Sequence, residues 1–74
     1  MDINYERLLG QNIRKLRMKR KLSQEQISAQ MQVRGCDITR SAFAKMEVGQ
    51  RHIYPDELKI IKEILAVSFD ELFV

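Results

Sequence analysis

The near absence of helix-breaking residues is the feature that most limits what this chain can fold into. Pro55 is the only proline among 74 residues, and only three residues are glycine. Between these breakers, apolar residues recur every three or four positions, as Leu9, Ile13 and Leu16 do. This spacing places side chains on one face of a helix, so the sequence predicts an all-α fold. The length favours one domain over residues 1–74.

Capping signals divide the chain into five predicted helices. Ser23 with Gln26, and Ser68 with Glu71, have the spacing of a capping box, in which each side chain bonds the backbone N–H of the other residue. Thr39 is a suitable N-cap for the third helix. The second and third helices are too short and too closely joined to pack as a long antiparallel hairpin, which favours a helix-turn-helix. The predicted helices cover residues 4–20, 24–32, 40–48, 56–66 and 69–73.

The third predicted helix presents two chemically different faces. Phe43 and Met46 are three residues apart and therefore share one face, which is predicted to pack against the core. The other faces carry basic or small residues. These residues are Arg40, Ser41, Ala44 and Lys45.

Charge is distributed unevenly along the chain, whose net charge is +3. Residues 1–52 contain eleven Lys or Arg against five Asp or Glu, whereas residues 53–74 contain two against five. Such an asymmetry indicates a surface that faces a polyanion. A solvated helix face explains the same charges, and the distribution by itself does not separate the two interpretations.

The composition argues against several other functions. Cys36 is the only cysteine, so it cannot form an internal disulfide, and one cysteine with one histidine is too few for a zinc site. No apolar run approaches the ~18 residues of a membrane span, and the N-terminus has no signal-peptide pattern. We therefore expect a cytoplasmic protein without a cofactor, a metal, a membrane or a small-molecule ligand. Because no catalytic set, carboxylate pair or phosphate loop is present, the protein is not expected to be an enzyme.

Several short motifs, taken together and in order, resemble the phage-repressor or Cro/C1-type helix-turn-helix family, also called the XRE family. They are LGQNIRKLR at 9–17, LSQEQI at 22–27, SAFAKME at 41–47, GQR at 49–51, Pro55 and SFDEL at 68–72. The resemblance spans nearly the whole chain. It implies a compact five-helix, lambda-repressor-like domain in which helices 2 and 3 form the helix-turn-helix.

The resemblance also implies roles for individual residues. In the family the third helix enters the major groove of DNA while the second crosses the backbone. Gln24, at the start of the second helix, and Arg51, beyond the third, correspond to phosphate contacts. Glu47 corresponds to a glutamate that pairs with an arginine of the first helix, which is Arg17 in this chain. The implied base-reading residues are Thr39, Arg40, Ser41, Ala44 and Lys45.

The connection between the second and third helices departs from the family pattern. It is several residues longer than usual, and Gln32 stands where the family has a glycine. The segment 32–37 either extends along the groove, with Arg34 on a phosphate, or forms a surface bulge packed by Val33 and Ile38.

Cys36 and His52 each admit two interpretations. Cys36 is either a reactive thiol with a lowered pKa or an ordinary, partly buried one. His52, which follows Arg51, either reaches a phosphate or is a surface residue.

The C-terminal residues are very apolar for so small a domain. Leu72 is predicted to close the core, but Phe69, Phe73 and Val74 cannot all be buried, and an exposed apolar patch suggests a partner surface. Members of the family that the chain resembles commonly dimerise here, which implies a homodimer on a palindromic operator with half-sites about 34–36 Å apart. Alternatively, these residues only cover the end of the first helix.

These features favour sequence-specific binding of double-stranded DNA by a small transcriptional regulator that acts as a repressor. The alternative is a protein–protein adaptor or an antitoxin-like module on the same fold. The adaptor is less favoured, because it would not need these four residues on one side: Arg40, Lys45, Arg51 and Gln24.

Overall fold

The computed structural model describes residues 3–73, and the side chains of residues 5–73. Within that range the chain forms five α-helices and no strand, which confirms the predicted all-α fold. Each helix end lies within one residue of its predicted position, because the caps that define these ends are local in sequence. The helices are α1 (Ile3–Lys19), α2 (Gln24–Val33), α3 (Arg40–Glu47), α4 (Pro55–Leu65) and α5 (Phe69–Leu72).

A serine or threonine hydroxyl group caps the N-terminus of three of these helices. Ser23 Oγ accepts from the backbone N–H of Gln26 at 3.0 Å, and Gln26 Oε1 accepts from the N–H of Ser23 at 2.8 Å. Thr39 Oγ1 accepts from the N–H of Ala42 at 3.0 Å at the start of α3, and α5 begins with a second capping box. Each bond satisfies a backbone donor that has no partner inside its helix, and so determines the residue at which the helix begins.

The core lies between all five helices. α3 packs against α1 and α2, α2 packs against α4, and α1 packs against α5. Every helix contributes at least one buried apolar side chain, so the position of α3 depends on the whole domain. The buried residues are Leu9, Ile13, Ile27, Met31, Ile38, Phe43, Met46, Ile53, Ile61, Leu65, Val67 and Leu72.

α1 crosses α3 at Gly10. A β-carbon built on Gly10 would lie 2.4 Å from the backbone oxygen of Met46 and 2.6 Å from that of Glu47. Real β-carbons do not approach other atoms this closely, so the crossing requires glycine. The C-terminal end of α3 is therefore fixed against the middle of α1.

The lengthened connection between α2 and α3 is a helix C-cap followed by a buried anchor. Gly35, at φ +90°, donates its N–H to the oxygen of Gln32 at 3.0 Å, and Cys36 donates to the oxygen of Met31 at 2.9 Å. This pair of bonds is the Schellman motif, which favours glycine because its central residue has positive φ. Ile38 then enters the core and directs the chain into α3.

In the surface-bulge interpretation of this segment, Val33 was predicted to pack the turn together with Ile38. For Val33 that prediction was wrong. Val33 is 88% exposed, whereas the partly buried Cys36 packs against the core close to Ile38. The buried side of α2 includes Met31, and Val33, two residues further on, faces the opposite side of the helix. Gln32 contributes instead, because its Nε2 donates to the oxygen of Ile38 at 2.7 Å and so ties α2 to the start of α3.

Candidate nucleic-acid interface

α3 is anchored by its apolar side, which leaves a polar and basic side towards solvent. Phe43 and Met46 are fully buried, as their spacing indicated. On the other side, three residues are exposed and a fourth is partly buried. We call these four residues the outer face of α3. They are Arg40, Ser41 and Lys45, which are exposed, and Ala44.

The charged groups of the outer face are free to meet a ligand. Neither Arg40 nor Lys45 forms an ion pair with any residue in the described part of the chain. Thr39, at the start of α3, is also exposed, and its hydroxyl oxygen accepts the capping bond from Ala42. Its O–H can still donate. Two cations, two hydroxyl groups and a methyl group therefore border one surface.

An ion pair between α1 and α3 orients that surface. Arg17 Nε lies 2.7 Å from Glu47 Oε2, and Arg17 Nη2 lies 3.1 Å from Glu47 Oε1. The two side chains are only 10% and 1% exposed. Arg17 Nη1 also donates to the backbone oxygen of Leu22 at 2.7 Å. Because the hydrogen bonds of this buried pair are formed, the charges are compensated and Glu47 adds no free negative charge to the surface.

Gln24, the first residue of α2, joins this ion pair. Its Nε2 donates to Glu47 Oε1 at 2.8 Å, and its side chain is partly buried. One of the two amide hydrogens is used in this bond, and the other remains for an acceptor such as the predicted phosphate oxygen. The bond to Glu47 holds the amide beside the N-terminus of α2, where unpaired backbone N–H groups favour anions.

Arg51, the second predicted phosphate contact, is held by an acidic residue that was not predicted from the sequence. Its Nη1 and Nη2 donate to the two carboxylate oxygens of Glu57 at 2.9 and 3.0 Å. Glu57 also accepts from the backbone N–H of Tyr54 at 3.0 Å and thereby caps α4. The position of Glu57 two residues after Pro55, at the start of a helix, is the sequence signal for this cap. Arg51 therefore organises the connection between α3 and α4.

Two pKa shifts follow from this arrangement. Burial raises the pKa of the Glu57 carboxyl, but the hydrogen bonds from Arg51 and Tyr54 and the charge of Arg51 outweigh it and lower the pKa overall. Burial, together with the negative charges of Glu57 and Asp56, raises the pKa of the Cys36 thiol. Cys36 is therefore protonated at neutral pH, which is the opposite of what a reactive thiol requires.

Two more basic residues have acidic partners on distant parts of the chain. Arg34 Nη1 lies 3.5 Å from Glu63 Oε2, with the side chains 44% and 45% exposed. An ion pair this exposed contributes little stability, so Arg34 can exchange its partner. His52 Nδ1 contacts the carboxylate of Glu6, which is buried at the side of α1. Neither pair was predicted, because its members are far apart in sequence.

α1 brings two further basic residues, Arg7 and Arg14, close to the C-terminal end of α3. Arg7, Gln11 and Arg14 line a cleft together with Glu47 and Val48 at the C-terminal end of α3. All three α1 residues are exposed. Their spacing of four and three residues places them in one row along the helix, and this spacing was visible in the sequence. The sequence did not indicate that the row borders α3.

The C-terminal residues are divided between the core and the surface. Leu72 is fully buried, whereas Phe69 and Phe73 are 45% and 50% exposed. Asn12 Nδ2 donates to the oxygen of Leu72 at 2.8 Å and so fixes α5 against α1. Val74, the third residue of the predicted dimer interface, lies outside the described residues. The two phenylalanines, four residues apart, form an apolar patch at the α5 end of the domain.

The described residues, 3–73, contain neither a metal-binding cluster nor a membrane-spanning helix. No three His, Cys, Asp or Glu side chains in this range are grouped so that they could hold a metal ion. None of its helices has both the length and the apolar character needed to cross a membrane.

Comparison with protein families agrees with the geometry of α2 and α3. The family model described as helix-turn-helix matches residues 13–72, which is more than half of the chain. The match begins within α1 and ends at the last residue of α5, so it includes α2 to α5 and the part of α1 that carries Arg17. No curated protein and no solved structure gave a match. The chain belongs to the helix-turn-helix family of Cro/C1 type, whose members are DNA-binding transcription regulators.

Proposed function

We propose that this protein binds specific sequences of double-stranded DNA and represses transcription from them. The observation that carries the proposal is the outer face of α3. Its side chains are exposed or partly exposed and its cations have no ion partner within residues 3–73, while the opposite side of the helix is buried in the core. A helix presented in this way fits the major groove, which is wide enough to admit it.

The outer face of α3 and Thr39 supply contacts that distinguish bases. Arg40 and Lys45 donate to guanine O6 and N7, the commonest specific contact in the major groove. Ser41 and Thr39 donate or accept, and Ala44 contacts a thymine methyl group. Each good bidentate contact contributes about 1–3 kcal/mol of discrimination against the wrong base.

Contacts to phosphates from neighbouring elements set the register of α3 in the groove. Gln24 donates its second amide hydrogen beside the N-terminus of α2. Arg34 exchanges its exposed partner Glu63 for a phosphate. Arg51 keeps its ion pair with Glu57 and donates from its remaining N–H groups. Such contacts raise the affinity for all sequences alike.

The protein acts as a homodimer on a palindromic operator. Phe69 and Phe73 form an exposed apolar patch, and with Val74 they provide the surface on which a second copy packs. A two-fold dimer places two copies of α3 on half-sites about 34–36 Å apart. The affinity for an inverted repeat then exceeds that for a single half-site, because both helices bind at once.

Selection of binding sites from a random duplex library with the purified protein tests this function. An enriched palindrome would support specific DNA binding and the dimer together. An enriched half-site without symmetry would support DNA reading and remove the dimer. The absence of any enrichment at low salt would reject the proposal and favour a protein–protein adaptor.

The role of the outer face is tested by repeating the selection with Lys45→Ala. We expect the preference at one or two base positions to relax, with a loss of about 1–3 kcal/mol on the preferred site. Lys15→Ala is the matched control, because Lys15 is exposed on α1 and its loss changes the net charge equally. If Lys45→Ala kept the wild-type base preference, Lys45 would not be a base-reading residue.

A further inference from the structure

We propose that Arg7, Gln11 and Arg14 form a second phosphate-binding surface, which extends the DNA interface from the helix-turn-helix onto α1. We call these three residues the α1 row. The inference rests on the proposed function, because it requires that the outer face of α3 binds DNA. Its ligand is the phosphate backbone of the same duplex.

The α1 row is continuous with the outer face of α3. Its three residues line one cleft with Glu47 and Val48. Val48, the C-cap of α3, is exposed and follows the exposed Lys45 by three residues, so the two are neighbours at the end of α3. The cleft between α1 and the end of α3 therefore opens onto the surface that carries the base-reading side chains.

Two glycines bring the α1 row this close to α3. Gly10 allows the backbone of α1 to touch the backbone oxygens of Met46 and Glu47. Gly49, at φ +77°, lies beneath Arg7, since a β-carbon on Gly49 would be 2.5 Å from Arg7 Cγ. The base of the row is thus held by backbone packing, and only the outer parts of its side chains remain free to move.

The acidic groups near the α1 row contact other residues, whereas its arginines have no acidic partner in the described part of the chain. Glu47 is buried and paired with Arg17, and Glu6, which lines the adjoining cleft, is buried and contacts a histidine. Neither Arg7 nor Arg14 forms an ion pair with another residue between positions 3 and 73. The row therefore carries two uncompensated positive charges, which suit a polyanion.

The three phosphate contacts predicted from the sequence offer less unpaired positive charge. Arg34 and Arg51 each have a carboxylate partner, and Gln24 carries no charge. By contrast, Arg7 and Arg14 are exposed and lie about 10 Å apart along α1, from its rise of about 1.5 Å per residue. Successive phosphates of one DNA strand advance by about 3.4 Å along the axis, so the two guanidinium groups can reach different phosphates.

If Arg7 and Arg14 had only a structural role, their replacement would have a different effect. Cations near the C-terminal end of a helix stabilise it by interacting with its dipole. If Arg7 and Arg14 served only the end of α3, replacing them would lower the melting temperature and leave the salt dependence of DNA binding unchanged.

The test compares the double variant Arg7→Gln/Arg14→Gln with the wild type. Affinity is measured by fluorescence anisotropy, over a range of salt concentrations, on the selected duplex and on an unrelated duplex. The slope of log affinity against log salt should fall by about two for each bound protomer, because each phosphate contact contributes about 0.9. The ratio of wild-type to variant affinity should then decrease by roughly tenfold per protomer between about 50 and 200 mM salt, equally on both duplexes.

The control double variant Lys15→Gln/Lys59→Gln removes the same charge from exposed positions outside the α1 row. Its salt slope should match that of the wild type. A second variant, Gln11→Arg, adds a cation to the row and should steepen the slope by about one for each bound protomer. This gain does not depend on whether the double variant folds.

An unchanged slope for both Arg7→Gln/Arg14→Gln and Gln11→Arg would overturn the α1 row as a phosphate-binding surface. A lower melting temperature with an unchanged slope would assign the arginines to the stability of α3 and also overturn it. If the wild type bound neither duplex, the proposed function itself would fail, and that result is distinct from failure of the α1 row alone.

Discussion

Glu47 accepts hydrogen bonds from two other helices and lies at the end of the helix that is proposed to read DNA. Its oxygens receive two bonds from Arg17 and one from Gln24. Because the carboxylate is 1% exposed, these bonds replace nearly all of its contact with water. At the residue scale, this one side chain couples the position of α3 to α1 and to the start of α2.

Replacing Glu47 by alanine is expected to lower the free energy of unfolding by about 3–5 kcal/mol, because Arg17 would remain as an uncompensated buried charge. Urea unfolding followed by circular dichroism measures the loss. The double variant Arg17→Met/Glu47→Leu removes both charges and should recover much of it. A loss below about 1 kcal/mol for Glu47→Ala would mean that the pair behaves like an exposed one.

At the scale of elements, the outer face of α3 is placed by helix crossings and connections. Two contacts control different parts of this placement: the crossing at Gly10 and the connection at Arg51 and Glu57. The first sets how closely α1 approaches α3, and the second sets how the chain leaves α3 and enters α4. Each can be tested by a single substitution.

Gly10→Ala is expected to destabilise the protein, although alanine is the better helix former by about 1 kcal/mol. The added methyl group would meet backbone oxygens at 2.4 and 2.6 Å, and forced separation of packed elements costs about 1–3 kcal/mol. Thermal unfolding shows whether the substitution lowers or raises the melting temperature. Ala29→Gly, at an exposed position of α2, gives the ordinary effect of helix propensity for comparison. If Gly10→Ala raised the melting temperature, the close crossing of α1 and α3 would be disproved.

Glu57→Gln is expected to reduce stability at neutral pH by about 1–3 kcal/mol, because charged hydrogen bonds to Arg51 are lost. The pKa of Glu57 is lower in the folded state than its unfolded value of about 4.3, so the ionised carboxylate stabilises the fold above that pH. This contribution disappears as the pH falls through the folded pKa. Urea unfolding of both proteins should therefore give stabilities that converge in acid. A difference independent of pH would contradict the role of the carboxylate charge.

At the scale of the whole molecule, the uneven charge of the sequence is partly cancelled by folding. The acidic C-terminal third supplies Glu57 and Glu63 to Arg51 and Arg34 of the basic N-terminal part. Among residues 3–73, fewer cations beside α3 are consequently without an ion partner than the sequence suggests. They include Arg40 and Lys45 of the outer face and Arg7 and Arg14 of the α1 row.

Phe73→Asp is expected to convert the proposed dimer to monomer, because a charge would be placed in an interface from which water is excluded. Sedimentation velocity measures the change. Val33→Asp is the control, since Val33 is also exposed but belongs to α2 and not to the proposed interface residues. Should the wild type and Phe73→Asp sediment alike, the patch of Phe69 and Phe73 would not be the dimer interface.

The features that depend on near neighbours in the chain could be predicted from the residues alone. The caps at Ser23, Thr39 and Ser68 and the alternation of apolar residues set the helix ends and the buried side of α3. Such signals act over three or four residues, within the reach of one helical turn. The pairing of Arg17 with Glu47 came from the resemblance to a family, and the structure shows these two side chains bonded.

The meeting of side chains from different elements became evident in the folded structure. Arg51 binds Glu57, Arg34 binds Glu63, and the α1 row borders α3, although the polar or charged character of these residues is evident in the sequence. The sequence could not reveal these partners, because they depend on the distance and angle at which whole helices cross. Those in turn depend on packing at sites such as Gly10, where the absence of a single β-carbon lets two backbones touch.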